Sequence, residues 1–257
     1  MRHVTEIALA VNAHAWAKFA LDFHADQHQK RVLQTQSKRI ILNCTRQWGK
    51  STVCVIKALH RALHQPNTLI IIACPAERQS GEFLRKMHEF LYALDITPRR
   101  DGYNRTSIKL PNGSRIVGLP GRMHRTIRGF SALSLLIFDE AAEVPDELYK
   151  ALRPMLATTN GDIWLLSTPY GKRGFFYDEW TRREHLWTRF SVPATECPRI
   201  SPEFLAEERE VFGERYFHQE YMCEFHSTYD ALFDESAIRR AVTADTKPLW
   251  AENVYAA

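Results

Sequence analysis

Asn43-Cys44-Thr45-Arg46-Gln47-Trp48-Gly49-Lys50-Ser51-Thr52 sets a glycine, a lysine and a hydroxyl side by side, directly after the apolar run Ile40-Ile41-Leu42. In the G-x-x-x-x-G-K-[ST] pattern, loop N–H groups wrap nucleotide phosphates, the lysine reaches the β/γ oxygens and the hydroxyl residue holds Mg²⁺. Gly49, Lys50 and Ser51 fit this phosphate-binding loop, and Cys44 occupies the place of the first glycine. A second chemical feature is Leu133-Ser134-Leu135-Leu136-Ile137-Phe138-Asp139-Glu140, an apolar run that ends abruptly in two acids. In open α/β sheets ligands bind beyond the carboxyl ends of the strands, so these acids belong near the loop if both strands share a sheet. There Asp139 is expected to help hold Mg²⁺, and Glu140 to orient or deprotonate a water that attacks a γ-phosphate. A third run, Gly161 to Ser167-Thr168-Pro169, ends in hydroxyls able to sense that phosphate. Gln29 lies upstream of the loop, and its amide both donates and accepts, as an adenine edge requires.

The surrounding segments have the periodicities needed to position these residues. Val4 to Phe23 carries apolar residues at loosely helical spacing without Pro or Gly and predicts one N-terminal helix. Val53, Ile56, Leu59 and Leu63 define an amphipathic helix over 50–63, stopped before Pro66. Thr68 to Ala73 is a continuous apolar run, as in a parallel strand buried on both faces, and a helix over about Ala76 to Leu94 follows it. Pro111-Asn112-Gly113-Ser114 signals a hairpin within 105–117. A helix from Pro145 to Leu156, a strand from Trp187 to Val192, and helices over 202–212 and 214–225 complete an alternation that favours a mainly parallel sheet flanked by helices. The segment from Asp230 onward is weakly patterned.

The 257 residues suit one large α/β domain with a small appendage. A 45% hydrophobic and 25% charged composition is that of a soluble globular protein, and no apolar run approaches a membrane span of about 20 residues. The start lacks a secretory signal pattern, which makes the cytoplasm the expected location. Cys44, Cys54, Cys74, Cys197 and Cys223 have no disulfide or zinc-site spacing and are expected to be reduced packing residues. A net charge of +4 permits a polyanionic partner. Arg122, His124, Arg125 and Arg128 between Gly121 and Gly129, the Lys172-Arg173 turn and the Arg182-Arg183 pair are the basic positions that could meet phosphates.

In this order, from about Asp26 to Phe233, the chain resembles the ATPase domain of viral terminase large subunits, the motors that drive double-stranded DNA into a procapsid. That family loses the first glycine of the loop and carries an arginine inside it, as in Cys44-Thr45-Arg46-Gln47-Trp48-Gly49-Lys50-Ser51. Gln29 matches the family's adenine-reading glutamine, with His28 in place of the usual aromatic neighbour. Ile127-Arg128-Gly129-Phe130 matches a segment whose arginine acts on a neighbouring subunit's ATP, and Leu166-Ser167-Thr168-Pro169 resembles the motif coupling hydrolysis to motion.

The resemblance implies a RecA-like (ASCE) P-loop NTPase fold with a helical extension over 1–25, an ATPase core over 26–195 and a helical subdomain or linker over 196–257. It implies ATP and Mg²⁺ as cofactors, with Lys50 on the phosphates, Ser51 and Asp139 on the metal, Glu140 on the water, and Arg46 or Arg128 as the charge-neutralising arginine. It also implies double-stranded DNA, a terminase small subunit and the procapsid portal as partners. A homo-oligomeric ring is expected on assembly, with a monomer possible for an isolated fragment, in the host cytoplasm. The family's C-terminal nuclease has no room before Ala257, so DNA cleavage is not expected of this polypeptide. Two alternatives stay open: a helicase-type ATPase, and a nucleotide-gated DNA-binding or assembly module without turnover.

Overall fold

Four apolar runs form parallel strands, and their side chains divide by the two-residue period of a strand between two cores. The computed structural model describes residues 2–99, 101, 106–121, 129–227 and 240–242. The strands are β1 (Arg39–Cys44), β2 (Leu69–Cys74), β5 (Leu133–Asp139) and β6 (Asp162–Ser167), with β3 (Ser107–Lys109), β4 (Arg115–Pro120) and β7 (Thr188–Val192) completing the sheet. Ile40, Leu42, Ile70, Ile72, Leu135, Ile137, Trp164 and Leu166 face one core. Ile41, Ile71, Leu136, Phe138, Ile163 and Leu165 face the other. Burial on both faces is why these strands read as unbroken apolar runs.

The first core is closed by α2 (Ala13–Leu21), α3 (Gln27–Gln34), α4 (Lys50–His64) and α5 (Glu77–Ala93), which contribute Trp16, Leu33, Ile56 and Met87. The second is closed by α6 (Asp146–Leu152) and α7 (Gly174–Thr181) through Leu148, Tyr149, Phe175 and Phe176. Tyr149 stacks on Phe175 with ring centroids 4.2 Å apart. All five cysteines are buried and free. Among the described residues, no helix is long and apolar enough to cross a membrane.

The sheet order is β3-β4-β2-β5-β6-β1-β7, parallel throughout except for the antiparallel β3–β4 hairpin. The strand leading to the loop, β1, therefore lies between β6 and β7 and is separated from β5 by β6. This is the RecA-like arrangement. Registers of Asn43 with Ser167 and of Asp139 with Leu166 bring the carboxyl ends of β1, β6 and β5 to one edge.

The structure departs from the sequence reading in three elements. The N-terminal helix is two helices, α1 (Arg2–Val11) and α2, because Asn12 adopts an extended backbone and its side chain caps α2 by accepting the Ala15 N–H at 3.0 Å. The helix expected over 145–156 ends at Leu152 and tightens into a 3-10 turn over Arg153–Leu156, with Pro154 inside it. The helix expected over 214–225 stops at Glu220, where the chain leaves α8 (Pro202–Glu220); the expected break between 212 and 214 is present as a kink at Gly213, where φ is 77°. Residues 1–226 form one compact unit and residues 227–257 a second.

Candidate functional site

The loop after β1 places its left-handed backbone at Gln47 (φ 62°) and Gly49 (φ 97°). Gly49 needs its hydrogen side chain doubly, since a Cβ there would lie 3.0 Å from Gln29 Nε2. Cys44 has no left-handed backbone; it closes β1 as a fully buried strand residue, which is why that position does without glycine. Burial pushes its thiol far above the ordinary range, so it packs rather than reacts. The Thr45 N–H donates to the Val192 carbonyl at 2.9 Å, continuing the strand ladder. Gly49 caps α4 without a side-chain hydrogen bond, so the first-turn N–H groups of a 15-residue helix face the loop and favour an anion there. Lys50 is buried and its ammonium donates to the carbonyls of Cys44 (2.8 Å) and Thr45 (3.1 Å), folding the side chain back along the loop. Thr52 Oγ1 lies 3.5 Å from Lys86 Nζ.

In the first turn of α4, Ser51 Oγ donates to Asp139 at 3.2 and 3.4 Å from its two carboxylate oxygens. Asp139 is buried at the end of β5 and its pKa is raised to about 6, first by desolvation and then by the charge of Glu140, against the opposing pull of Lys50 and Ser51. Glu140 turns the chain with φ at 49°, and its N–H donates to Asp139 Oδ1 at 3.2 Å. At the end of β6, Ser167 Oγ donates to Glu140 Oε2 at 3.4 Å and accepts the Ala142 N–H at 3.3 Å. Thr168 is buried and donates to Glu220 Oε2 at 3.2 Å, and Pro169 is buried beside it. The sheet edge thus gathers Lys50, Ser51, Asp139, Glu140, Ser167 and Thr168.

Gln29 also reaches this edge, held by backbone at both ends of its amide. Its Oε1 accepts the Asp26 N–H at 3.1 Å in a capping box at the start of α3, and its Nε2 donates to the Trp48 carbonyl at 2.9 Å. The same Trp48 carbonyl accepts from Arg199, whose guanidinium pairs with Asp26 at 3.0 Å. Arg128 lies outside the described residues, as do Arg122, His124 and Arg125. Arg182 and Arg183 pair along α7 with Asp178 (3.4 Å) and Glu179 (3.2 Å), and the Arg173 guanidinium lies 5.2 Å from the Tyr170 ring centroid.

Sequence reasoning missed Glu220. This buried acid accepts from Arg46 Nε at 2.6 Å, and its backbone carbonyl accepts from Thr45 Oγ1 at 3.2 Å. Three residues on, the Cys223 carbonyl accepts from Asn43 Nδ2 at 2.8 Å, so the chain after α8 lies along the end of β1. The one available signal was Gly213, which interrupts the helical pattern and predicts a change of direction.

The description "Terminase large subunit, T4likevirus-type, N-terminal" belongs to a family model that matches residues 41–240. The chain belongs to this family. Among solved structures, the large terminase ATPase domain of Thermus phage P74-26 superposes with a TM-score of 0.69 at 20% identity, covering 81% of this chain and 97% of that one. The large terminase of the thermophilic bacteriophage D6E in complex with ADP gives 0.66 at 14% identity, covering 78% of this chain and 54% of that one. The HK97 bacteriophage large terminase gives 0.66 at 16% identity, with 79% and 51% covered. At these identities the likeness establishes the fold, and the chain spans about half the length of the D6E and HK97 large terminases. Comparison with curated protein sequences finds no match.

Proposed function

We propose that this terminase-family chain is the ATP-hydrolysing domain of a DNA-packaging motor, coupling Mg²⁺-dependent hydrolysis to movement of double-stranded DNA into a procapsid. The observation that carries the proposal is the meeting of Lys50, the Ser51–Asp139 pair, Glu140 and Ser167 at one sheet edge. The D6E large terminase in complex with ADP, and the same protein in complex with ATP-gamma-S, support a nucleotide as the ligand.

The donor set suits magnesium. Among the described residues no group of three or more His, Cys, Asp or Glu side chains is placed to hold a metal alone, whereas one hydroxyl and one carboxylate meet at Ser51 and Asp139. Mg²⁺ is commonly held by one or two protein oxygens together with substrate phosphates, and Ser51 and Asp139 would supply those oxygens. When bound, the metal would neutralise charge on the phosphates.

Lys50 leaves its two carbonyls for the β/γ oxygens, and the N–H groups of Thr52 and its neighbours in the first turn of α4 complete the cradle. Glu140 accepts a proton from water as the water oxygen bonds to the γ-phosphorus and the bond to the β–γ bridging oxygen breaks. Ser167 holds the Glu140 carboxylate in place. Arg46 in the same subunit, or Arg128 from a neighbour, offsets the growing charge. Gln29, Arg46, Gln47 and Trp48 border the nucleotide, and Ser167-Thr168-Pro169 passes its state to the rest of the chain. Residues 1–25 serve as a helical extension, 26–195 as the core and 196–257 as a helical subdomain or linker. DNA, a small subunit and the procapsid portal are the partners, met in the host cytoplasm by a ring of copies.

Phosphate release and nuclease protection of added DNA, measured together with procapsids carrying the portal, test the proposal. ATP-dependent protection of duplex DNA is expected. Strand displacement without protection would instead indicate a helicase, and nucleotide binding with no phosphate release would indicate a gated assembly module.

A further inference from the structure

The Trp48 carbonyl, at the tip of the phosphate loop, accepts two donors at once. Gln29 Nε2 reaches it at 2.9 Å from α3, and the Arg199 guanidinium reaches it from the segment that joins β7 to α8. Both donors answer to Asp26, whose Oδ1 accepts the Gln29 N–H at 2.8 Å and whose Oδ2 pairs with Arg199 at 3.0 Å. A second pair, His28 Nε2 with Glu196 Oε2 at 3.1 Å, joins the same two stretches of chain, and Ile200 packs beside them against buried side chains. The Trp48 ring is fully buried, so this residue is held by its side chain and by its carbonyl. The peptide that follows it lies between the end of β1 at Cys44 and the first residue of α4, Lys50, where neither a strand ladder nor a helix ladder fixes its plane. Among the described residues no peptide bond is cis. In a trans peptide the C=O and the next N–H point in opposite directions. Donors that draw the Trp48 carbonyl to one side therefore aim the Gly49 N–H to the other, and that N–H has no hydrogen-bond partner among the described residues.

We propose that Arg199 is a positioning residue that, together with Gln29, locks the plane of the Trp48–Gly49 peptide so that the Gly49 N–H is set to meet a phosphate oxygen. The inference rests on the nucleotide reading above. Arg199 touches no part of the nucleotide; it acts through one peptide group, and its positive charge on the carbonyl also strengthens the opposite N–H as a donor. The orientation is then in place before a phosphate arrives and costs nothing at binding. Because the peptide meets phosphate alone, the effect is blind to the base. It also makes the segment leading into α8 a determinant of phosphate affinity, since Arg199 belongs to that segment and not to the loop.

Displacement of fluorescent ADP by ATPγS, GTPγS and tripolyphosphate, each with Mg²⁺, tests this on the wild type, Arg199→Gln and Arg199→Lys, with thermal unfolding of each as a check on folding. The Arg199 side chain is 44% exposed, which weakens its hold. Arg199→Gln is accordingly expected to weaken all three competitors by the same factor, roughly fivefold. The loss is expected to persist in 1 M KCl, where screening confines charge effects to about 3 Å and long-range attraction of phosphate is gone. In proton–nitrogen correlation spectra of the ligand-free protein, the Gly49 amide is expected to shift. Arg199→Lys keeps a charged donor on a shorter reach and is expected to lose less; it supplies the same readings if Arg199→Gln does not fold. A loss confined to ATPγS, a loss that disappears in 1 M KCl, an unmoved Gly49 amide, or affinities within about twofold of wild type overturns the positioning role. A wild type that binds none of the probes overturns the nucleotide reading as well, which separates the two failures.

Discussion

Replacing Glu140 by Gln isolates the proposed water-activating role, because the amide keeps the size and one oxygen of the carboxylate. Ser167 Oγ, 3.4 Å from Glu140 Oε2, retains an acceptor, and the turn at φ 49° keeps the same backbone demand. What disappears is the capacity to take a proton. A positioned general base contributes about 10²–10⁴ in rate, equivalent to about 3–5 kcal/mol of barrier at 1.36 kcal/mol per tenfold. Single-turnover hydrolysis of radiolabelled ATP is expected to slow by that factor. Equilibrium affinity for ATPγS should hold steady or rise, since one negative charge near the phosphates has been removed. The variant should therefore accumulate bound, unhydrolysed ATP. Turnover within tenfold of wild type, at unchanged affinity, would refute the assignment of Glu140 and point to water positioning by Ser167 or the arginines instead.

Three other expectations follow from the same structure. If Arg128 acts on a neighbour's nucleotide, specific ATPase activity rises with protein concentration and Arg128→Ala flattens that rise with a loss of about 10³–10⁵ in the assembled state; a flat wild-type series contradicts it. His60, buried with Nε2 2.9 Å from the Leu9 carbonyl, has a pKa lowered to about 4, chiefly by desolvation. The unfolded chain then binds the extra proton first, so His60's contribution is complete above pH 6.5 and is lost as pH falls toward 4, by up to about 3 kcal/mol; denaturant midpoints against pH should fall less steeply in His60→Gln. Gly161→Ala would place a Cβ 2.4 Å from the Leu133 carbonyl oxygen and 2.8 Å from Leu156 Cδ2, and should lower Tm by roughly 2–10 °C, as overpacking of about 1–3 kcal/mol does in a chain of this size.

The parallel sheet was legible because its strands are buried on both faces, so Ile70-Ile71-Ile72 and Leu135-Leu136-Ile137-Phe138 declare themselves without partners. That Asp139 and Glu140 meet Lys50 and Ser51 at one sheet edge was legible from acids that end an apolar run and a Gly-Lys-Ser that follows another by a short loop. The break at Asn12 was overlooked because apolar spacing continues across it, and the interruption comes from a side-chain cap that periodicity does not register. The stop at Glu220 was hidden by local helix-forming residues up to Phe225; what ends the helix is tertiary, the hydrogen bonds of Thr45 with Glu220 and of Asn43 with Cys223. Glu220 itself carries no local signal because its partners lie 174 residues away at Arg46 and 52 away at Thr168. Gln29 was legible as a residue near the loop, but its capping box with Asp26 and its hold on Trp48 emerge only in three dimensions.

The central claim, that the carboxyl edge of β1, β6 and β5 is one ATP-hydrolysing site, is tested most directly by phosphate release from the wild type beside Lys50→Ala. Lys50 is the buried cation at the head of α4, and its ammonium is the group proposed to move onto the phosphates. The wild type is expected to release phosphate from ATP with Mg²⁺, and Lys50→Ala to fall to background while its thermal unfolding stays cooperative. Equal release from the two proteins would contradict the account.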